Sequence, residues 1–126
     1  MAEGSRPPAA INLAEKLAGF SDHWNPRIVG RYNGNEVRIA KVEGEFSWHS
    51  HEGSDELFLV LSGDFGIEFR DGLRKLAPGE LIVVPAGTEH RPVANGECAI
   101  LMLDREGEPN TGVNPSEYTR EKLETL

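Results

Sequence analysis

The chain has 126 residues, of which 21 are acidic and 13 basic, for a formal charge of −8. A hydrophobic content of 38% at this length is enough for one self-sufficient core and excludes wholesale disorder, while the negative balance argues against a phosphate backbone as partner. A single cysteine, Cys98, cannot close an intramolecular disulfide. No run resembles a signal peptide or a bilayer span, so a reducing cytoplasm without membrane contact is the expected setting.

Residues 1–10, MAEGSRPPAA, are small, polar and proline-bearing and read as a flexible terminus preceding one domain over residues 11–126. Asn12 is placed to cap a short helical turn that sets Leu13, Leu17 and Phe20 on one side before Gly19 ends it. From Arg27 onward, brief apolar runs alternate with Gly, Asn, Asp and Pro, the texture of an all-β domain. Expected strands are Arg27 to Tyr32, Glu36 to Glu43, Phe46 to His51, Glu56 to Leu61, Phe65 to Arg70, Leu73 to Leu76, Leu81 to Val84, Arg91 to Ala94 and Cys98 to Asp104. Tight turns are expected at Asn33-Gly34, Ser62-Gly63-Asp64, Asp71-Gly72, Pro78-Gly79, Ala86-Gly87 and Asn95-Gly96, where glycine supplies a positive φ.

Phe65, Ile67 and Phe69 alternate with Gly66, Glu68 and Arg70, giving one dry face. Leu57 to Leu61 is apolar on both faces and needs two covers, the barrel interior and either another sheet or another subunit; a small barrel that forms a homodimer is therefore expected. The polar tail beyond Arg105 leaves two options for Ser116 to Leu126, a capped helix or a strand on a partner's edge.

Chemistry concentrates in the histidines. His49 and His51 are two apart in an expected strand, so both imidazoles leave on one face, spaced to chelate one ion. Glu56, after the Gly53-Ser54-Asp55 turn, can lie across the ladder from them, and His90, beyond Pro85-Ala86-Gly87, can be carried back to the same pocket. Three neutral nitrogens and one carboxylate suit one divalent transition ion (Fe, Mn, Ni, Cu or Zn) better than Ca or Mg. Taken singly, a His-x-His pair, an acid in a loop and a histidine after a turn are also what an ordinary solvated surface presents.

The spacing around these residues resembles a known family. Gly44-x4-His49-x-His51-x4-Glu56-x6-Gly63 is similar to the first cupin motif, with one residue fewer than usual between the leading glycine and the first histidine. Gly79-x5-Pro85-x-Gly87-x2-His90, followed by Asn95, is similar to the second. The resemblance implies a cupin jelly-roll β-barrel, with its motif core over residues 44–95, in which His49, His51, Glu56 and His90 ligate one metal ion inside the barrel. Gly63, Gly79, Pro85, Gly87 and Asn95 then have turn-forming roles.

By parity, Phe46 and Trp48 should face away from the metal, and Phe58 and Val60 toward it. A phase reset at Gly44 should leave Lys41 on the surface. His23 is expected in solvent and Cys98 as a small buried hydrophobe.

No nucleophile elbow, P-loop or dinucleotide fingerprint competes with the metal reading. Asn110-Thr111-Gly112 resembles the tail of compact cupins labelled mannose-6-phosphate-isomerase-like, although no cluster of Arg and Lys suited to a sugar phosphate accompanies it. The leading expectation is a metal-dependent enzyme acting on a small polar organic molecule, isomerase-like or dioxygenase-like. The alternatives are a non-catalytic cupin that binds a small ligand or metal as a sensor or store, and a metal-free cupin with a structural polar pocket.

Overall fold

The computed structural model describes residues 7–126. Part of the expected flexible terminus, residues 1–6, lies outside the described residues, and 7–10 are exposed and carry no regular element. The order is α1 (Leu13–Leu17), β1 (Arg27–Tyr32), β2 (Asn35–Glu45), β3 (Glu56–Phe69), β4 (Gly72–Leu76), β5 (Leu81–Val84) and β6 (His90–Arg105). The Asn12 side chain accepts from the Glu15 amide at 3.1 Å, the expected cap.

All pairing between these strands is antiparallel. They run β1-β2-β6-β3-β4, with β5 added to the first half of β3 and β4 to its second half. The result is a jelly-roll barrel. Phe58, Val60, Phe65, Ile67, Val42, Ile100 and Met102 fill its interior. Pairing positions alternate in and out, so Phe58 lies beside Ile82 and Met102 within the barrel, while Leu57 lies beside Val83 and Leu103 on its outer face.

Among the described residues six strands form rather than the nine expected, in part because two glycine sites taken as turns lie inside continuous strands. At Ser62-Gly63-Asp64 and Asn95-Gly96 the register between β3 and β6 slips, so Ser62 faces Ala99 whereas Asp64 faces Asn95. These are bulges that bend long strands around the barrel corner. Gly63 has φ 97° and lies directly over β6: a Cβ there would sit 2.6 Å from Cys98 Sγ and 2.8 Å from the Glu97 carbonyl oxygen. Its lack of a side chain lets the two backbones touch, with Cys98 buried beneath as expected.

The third departure is Phe46 to His51, which is not a strand. It crosses the barrel mouth as a loop tied to β6 by paired backbone bonds, His49 N to His90 O at 3.0 Å and His90 N to His49 O at 2.9 Å. Gly44, at φ 81°, marks a register shift between β2 and β6 and resets the phase, as expected. Lys41 accordingly turns outward, donating to the Phe20 carbonyl at 2.7 Å.

The C-terminal tail is neither of the expected alternatives. Residues 106–123 wrap back over the barrel, and the chain end closes the free edge of its own β1: the Ile28 amide donates to Glu124 O at 2.9 Å and the Leu126 amide to Ile28 O at 2.8 Å.

The contact under Gly63 yields a direct check. Gly63→Ala should destabilise the protein by about 2 kcal/mol, because a left-handed backbone and a backbone clash add. Urea unfolding of the variant beside the native chain measures it; equal stability would mean that β3 and β6 do not approach this closely.

Candidate metal centre

The four expected ligands converge although they come from three different elements. His49 and His51 lie on the mouth loop, Glu56 opens β3, and His90 opens β6. One donor atom from each lies within 4.8 Å of the other three, and all four residues are buried. The convergence of His49 and His51 does not come from strand alternation, since neither is in a strand. It comes from the backbone clamp between His49 and His90 and from contacts of the loop with the tail.

The hydrogen bonds on the far side of each ring fix its protonation pattern. His49 Nδ1 meets the Ser47 carbonyl at 2.9 Å and His90 Nδ1 meets the Thr88 carbonyl at 2.9 Å. A carbonyl oxygen only accepts, so each Nδ1 carries a proton, and a ring that holds no second proton presents an Nε2 lone pair. His51 Nδ1 meets Glu108 Oε2 at 3.0 Å, with the same consequence. The Nε2 atoms of His51 and His90 each lie 3.2 Å from Glu56 Oε1. His51 Nε2 is buried without a well-formed hydrogen bond to any of the described residues. Lone pairs facing a carboxylate at this distance repel unless a proton or a cation lies among them. The donor set therefore fits a divalent transition ion, which three imidazole nitrogens and a carboxylate oxygen would hold.

The electrostatics agree. Burial, with the neighbouring His90, lowers His49 to about 4, so this ring is neutral at ordinary pH. Burial also opposes charge on His51, but Glu56 and Glu108 outweigh it and raise its pKa. Burial favours a neutral Glu56, yet its polar contacts with His51, His90 and Asp104 hold it well below the usual carboxylate range. Asp104 moves the other way: burial and the Glu56 charge push it well above the usual range. The buried Arg38 lies 3.5 Å from Asp104 Oδ2 and opposes part of that shift.

A cavity of about 30 Å³ adjoins His49 and Glu56. Trp24, Phe46, Phe58, Ile100 and Met102 give it apolar walls, and Arg38 and Asp104 also line it. Phe46 therefore faces inward, contrary to the parity argument, with its ring 5.2 Å from that of His49. With no strand at 46–51, parity has no meaning there. Trp48 does turn away, under Arg70 at 3.7 Å. Phe58 lines the cavity as expected; Val60 lies deeper in the core and does not. His23 faces solvent as expected, its side chain 32% exposed, and its Nε2 lies 2.7 Å from Glu97 Oε2 at the surface.

Asn95 serves the bulge in β6 rather than a hairpin: its side-chain amide donates to Asp64 Oδ2 at 3.1 Å. Sequence reasoning missed Glu108, Asp104 and Arg38. The first lies beyond both motifs, and Arg38 is one of several charged residues in β2, so nothing in the sequence marks its burial or that of Asp104 near the end of β6.

The sequence profile described as "Cupin domain" matches residues 35–104. The chain belongs to the cupin family. It is 39% identical over 83 residues to the uncharacterized protein YdbB of Bacillus subtilis (strain 168), covering 65% of this chain and 67% of that protein. Among solved structures, it is similar to a cupin-2 domain containing protein from Shewanella frigidimarina, at 42% identity and a TM-score of 0.75 over 76% of this chain and 94% of that one. It also resembles protein NMB1881 from Neisseria meningitidis, at 31% identity and a TM-score of 0.71 over 78% of this chain and all (100%) of that one. These matches support the cupin assignment without confirming the mannose-6-phosphate-isomerase-like subgroup. In this chain Asn110, Thr111 and Gly112 build the tail: Asn110 bonds Tyr118 O and the Arg120 amide, Thr111 meets Thr119, and Gly112 packs on the Ser50 carbonyl. No helix among the described residues is long and apolar enough to cross a membrane.

The raised pKa of His51 gives metal uptake a pH dependence. An ion must displace its proton, so affinity falls as pH drops through the raised pKa of His51 and protonation competes. Titration of the metal-free protein with Zn(II) at several pH values, with proton release followed in buffers of different ionisation enthalpy, should show affinity rising with pH; a flat profile from pH ~5 to ~8 would contradict the ligand assignment.

Proposed function

We propose that this cupin is a metal-dependent enzyme acting on a small organic molecule, isomerase-like or dioxygenase-like. The observation that carries the reading is the set of inward Nε2 lone pairs and the Glu56 carboxylate beside a cavity. A bound divalent ion would supply Lewis acidity or, if iron, reactivity toward dioxygen. The chain's own part is to present His49 and Glu56 at a cavity walled by Phe46, Phe58, Ile100 and Met102, which excludes bulk water and, at about 30 Å³, admits a group little larger than water. That lining favours a compact molecule with one polar end over a uniformly polar one. The narrow cavity also favours a second reading, a metal or small-ligand sensor without turnover.

Metal content after purification and a substrate panel on the loaded protein separate these readings. An ion with exchangeable water and turnover supports the enzyme; a filled shell without turnover supports the sensor. His51→Ala should lose most of its bound metal, and unchanged content would defeat the assignment. For the native chain, saturating metal should raise the unfolding midpoint by about 10 °C, reversed by chelator, since an ion bound only by the folded state stabilises it. An equal midpoint in chelator would favour a metal-free cupin.

We further propose that the protein works as a homodimer, in keeping with a cytoplasmic location. Two apolar rows cross four strands on the barrel's outer face, Val83-Leu57-Leu103-Val37 and Leu81-Leu59-Leu101-Ile39. Helix α1 lies against β2 at one end of the face, whereas Leu81 and Val83 at the other are 57% and 49% exposed. Sedimentation should give twice the chain mass, and Leu59→Glu with Leu81→Glu should give a folded monomer; a monomeric native protein would contradict the proposal.

A further inference from the structure

The three histidines are not oriented in the same way. His49 and His90 each bond the carbonyl two residues earlier in the chain, Ser47 and Thr88, so their orientation is built into the local backbone. His51 depends instead on Glu108, 57 residues away in sequence. Glu108 lies beyond both motifs and beyond residues 35–104, the span shared with the family profile.

Glu108 is itself firmly held. Its Oε1 accepts from Arg105 Nη2 at 2.7 Å and from Ser54 Oγ at 3.4 Å. Its backbone oxygen accepts from Arg38 Nη2 at 2.8 Å, and its amide bonds the Arg105 carbonyl at 2.9 Å. The residue is 8% exposed. The chain that follows grips the loop carrying His51: the Val113 amide donates to Ser50 O at 3.0 Å, and Asn114 Oδ1 accepts from the Ser50 amide at 3.1 Å. Gly112, at φ 58°, packs so closely on the Ser50 carbonyl that any side chain there would collide with it.

We propose that Glu108 is a positioning residue for the metal centre: its carboxylate holds His51 in the Nδ1-protonated tautomer with Nε2 aimed at the ion, so this C-terminal segment sets metal affinity from outside the motifs. The inference rests on the metal-binding reading above. Carboxylates behind ligating histidines act in this way generally, and removing one typically costs about ten- to a hundredfold in affinity. Arg105 supports Glu108 from the solvent side, and the bond to His51 does not pass through it.

The test measures Zn(II) affinity by competition with a chromophoric chelator, together with ¹⁵N NMR of the histidine rings in the metal-free protein, titrated upward in pH until the His51 ring is neutral and its tautomer can be read. Glu108→Ala should bind Zn(II) about 10- to 100-fold more weakly and populate the Nε2-protonated tautomer at His51 while His49 and His90 stay as they are. Glu108→Gln, nearly isosteric and still able to accept the Nδ1 proton, should keep the tautomer and recover part of the affinity; it also decides the matter if the alanine variant does not fold. Arg105→Ala should bind within about threefold of the native chain, a change of under about 1 kcal/mol by the usual conversion. Native-like affinity in both Glu108 variants, or an unchanged His51 tautomer in a folded Glu108→Ala, would overturn the role of Glu108 while leaving the metal site standing. Failure of the native chain itself to bind Zn(II) or another divalent transition ion would instead overturn the metal reading.

Discussion

Three imidazoles and a carboxylate buried at the mouth of a β-barrel would ordinarily be a liability, because each polar atom removed from water needs a partner. Here the outer nitrogens have partners and the inner ones have each other. Ser47, Thr88 and Glu108 take the three Nδ1 protons. The Nε2 lone pairs and Glu56 are left around a shared centre where only a proton or a cation relieves their repulsion. The surrounding architecture maintains that constraint.

The barrel maintains it through β3 and β6, the two long strands that open at Glu56 and His90. Their pairing brings Phe58 beside Met102 and Val60 beside Ile100, so the hydrophobic core beneath the site and the spacing of two ligands follow from one ladder. Glycine at 63 permits the close approach that bends this ladder. The loop 46–51 is held from outside: β6 clamps His49, and the tail clamps Ser50 and His51. Buried charge continues behind Glu56 through Asp104 and Arg38 to Glu36, whose carboxylate accepts from Arg38 at 2.7 Å. The raised pKa of Asp104 and the Arg38 cation between Asp104 and Glu36 both reduce the repulsion among these neighbouring acids.

The candidate ligand set was legible because the chemistry of a transition-ion site limits which residues could serve, and the spacing of His49, His51, Glu56 and His90 matched a recognisable motif. The all-β class was legible from alternation at 65–70 and from the glycine-rich punctuation. Two kinds of feature were not. A glycine inside a bulge and a glycine in a hairpin look alike in sequence, since both supply positive φ; only strand pairing tells Gly63 and Gly96 from Gly34. Contacts between distant segments, such as Glu108 with His51 or Tyr118 stacked 4.9 Å from Phe46, leave no local pattern at all. The tail therefore read as an appendage, although it is part of the site's support.

The account is tested most directly by X-ray absorption at the metal edge of the loaded protein. It predicts an inner ring of nitrogen and oxygen donors at about 2.0–2.2 Å with the outer-sphere scattering of three imidazole rings. Oxygen donors alone, or the signature of fewer than two imidazoles, would contradict the claim that these histidines meet on one ion.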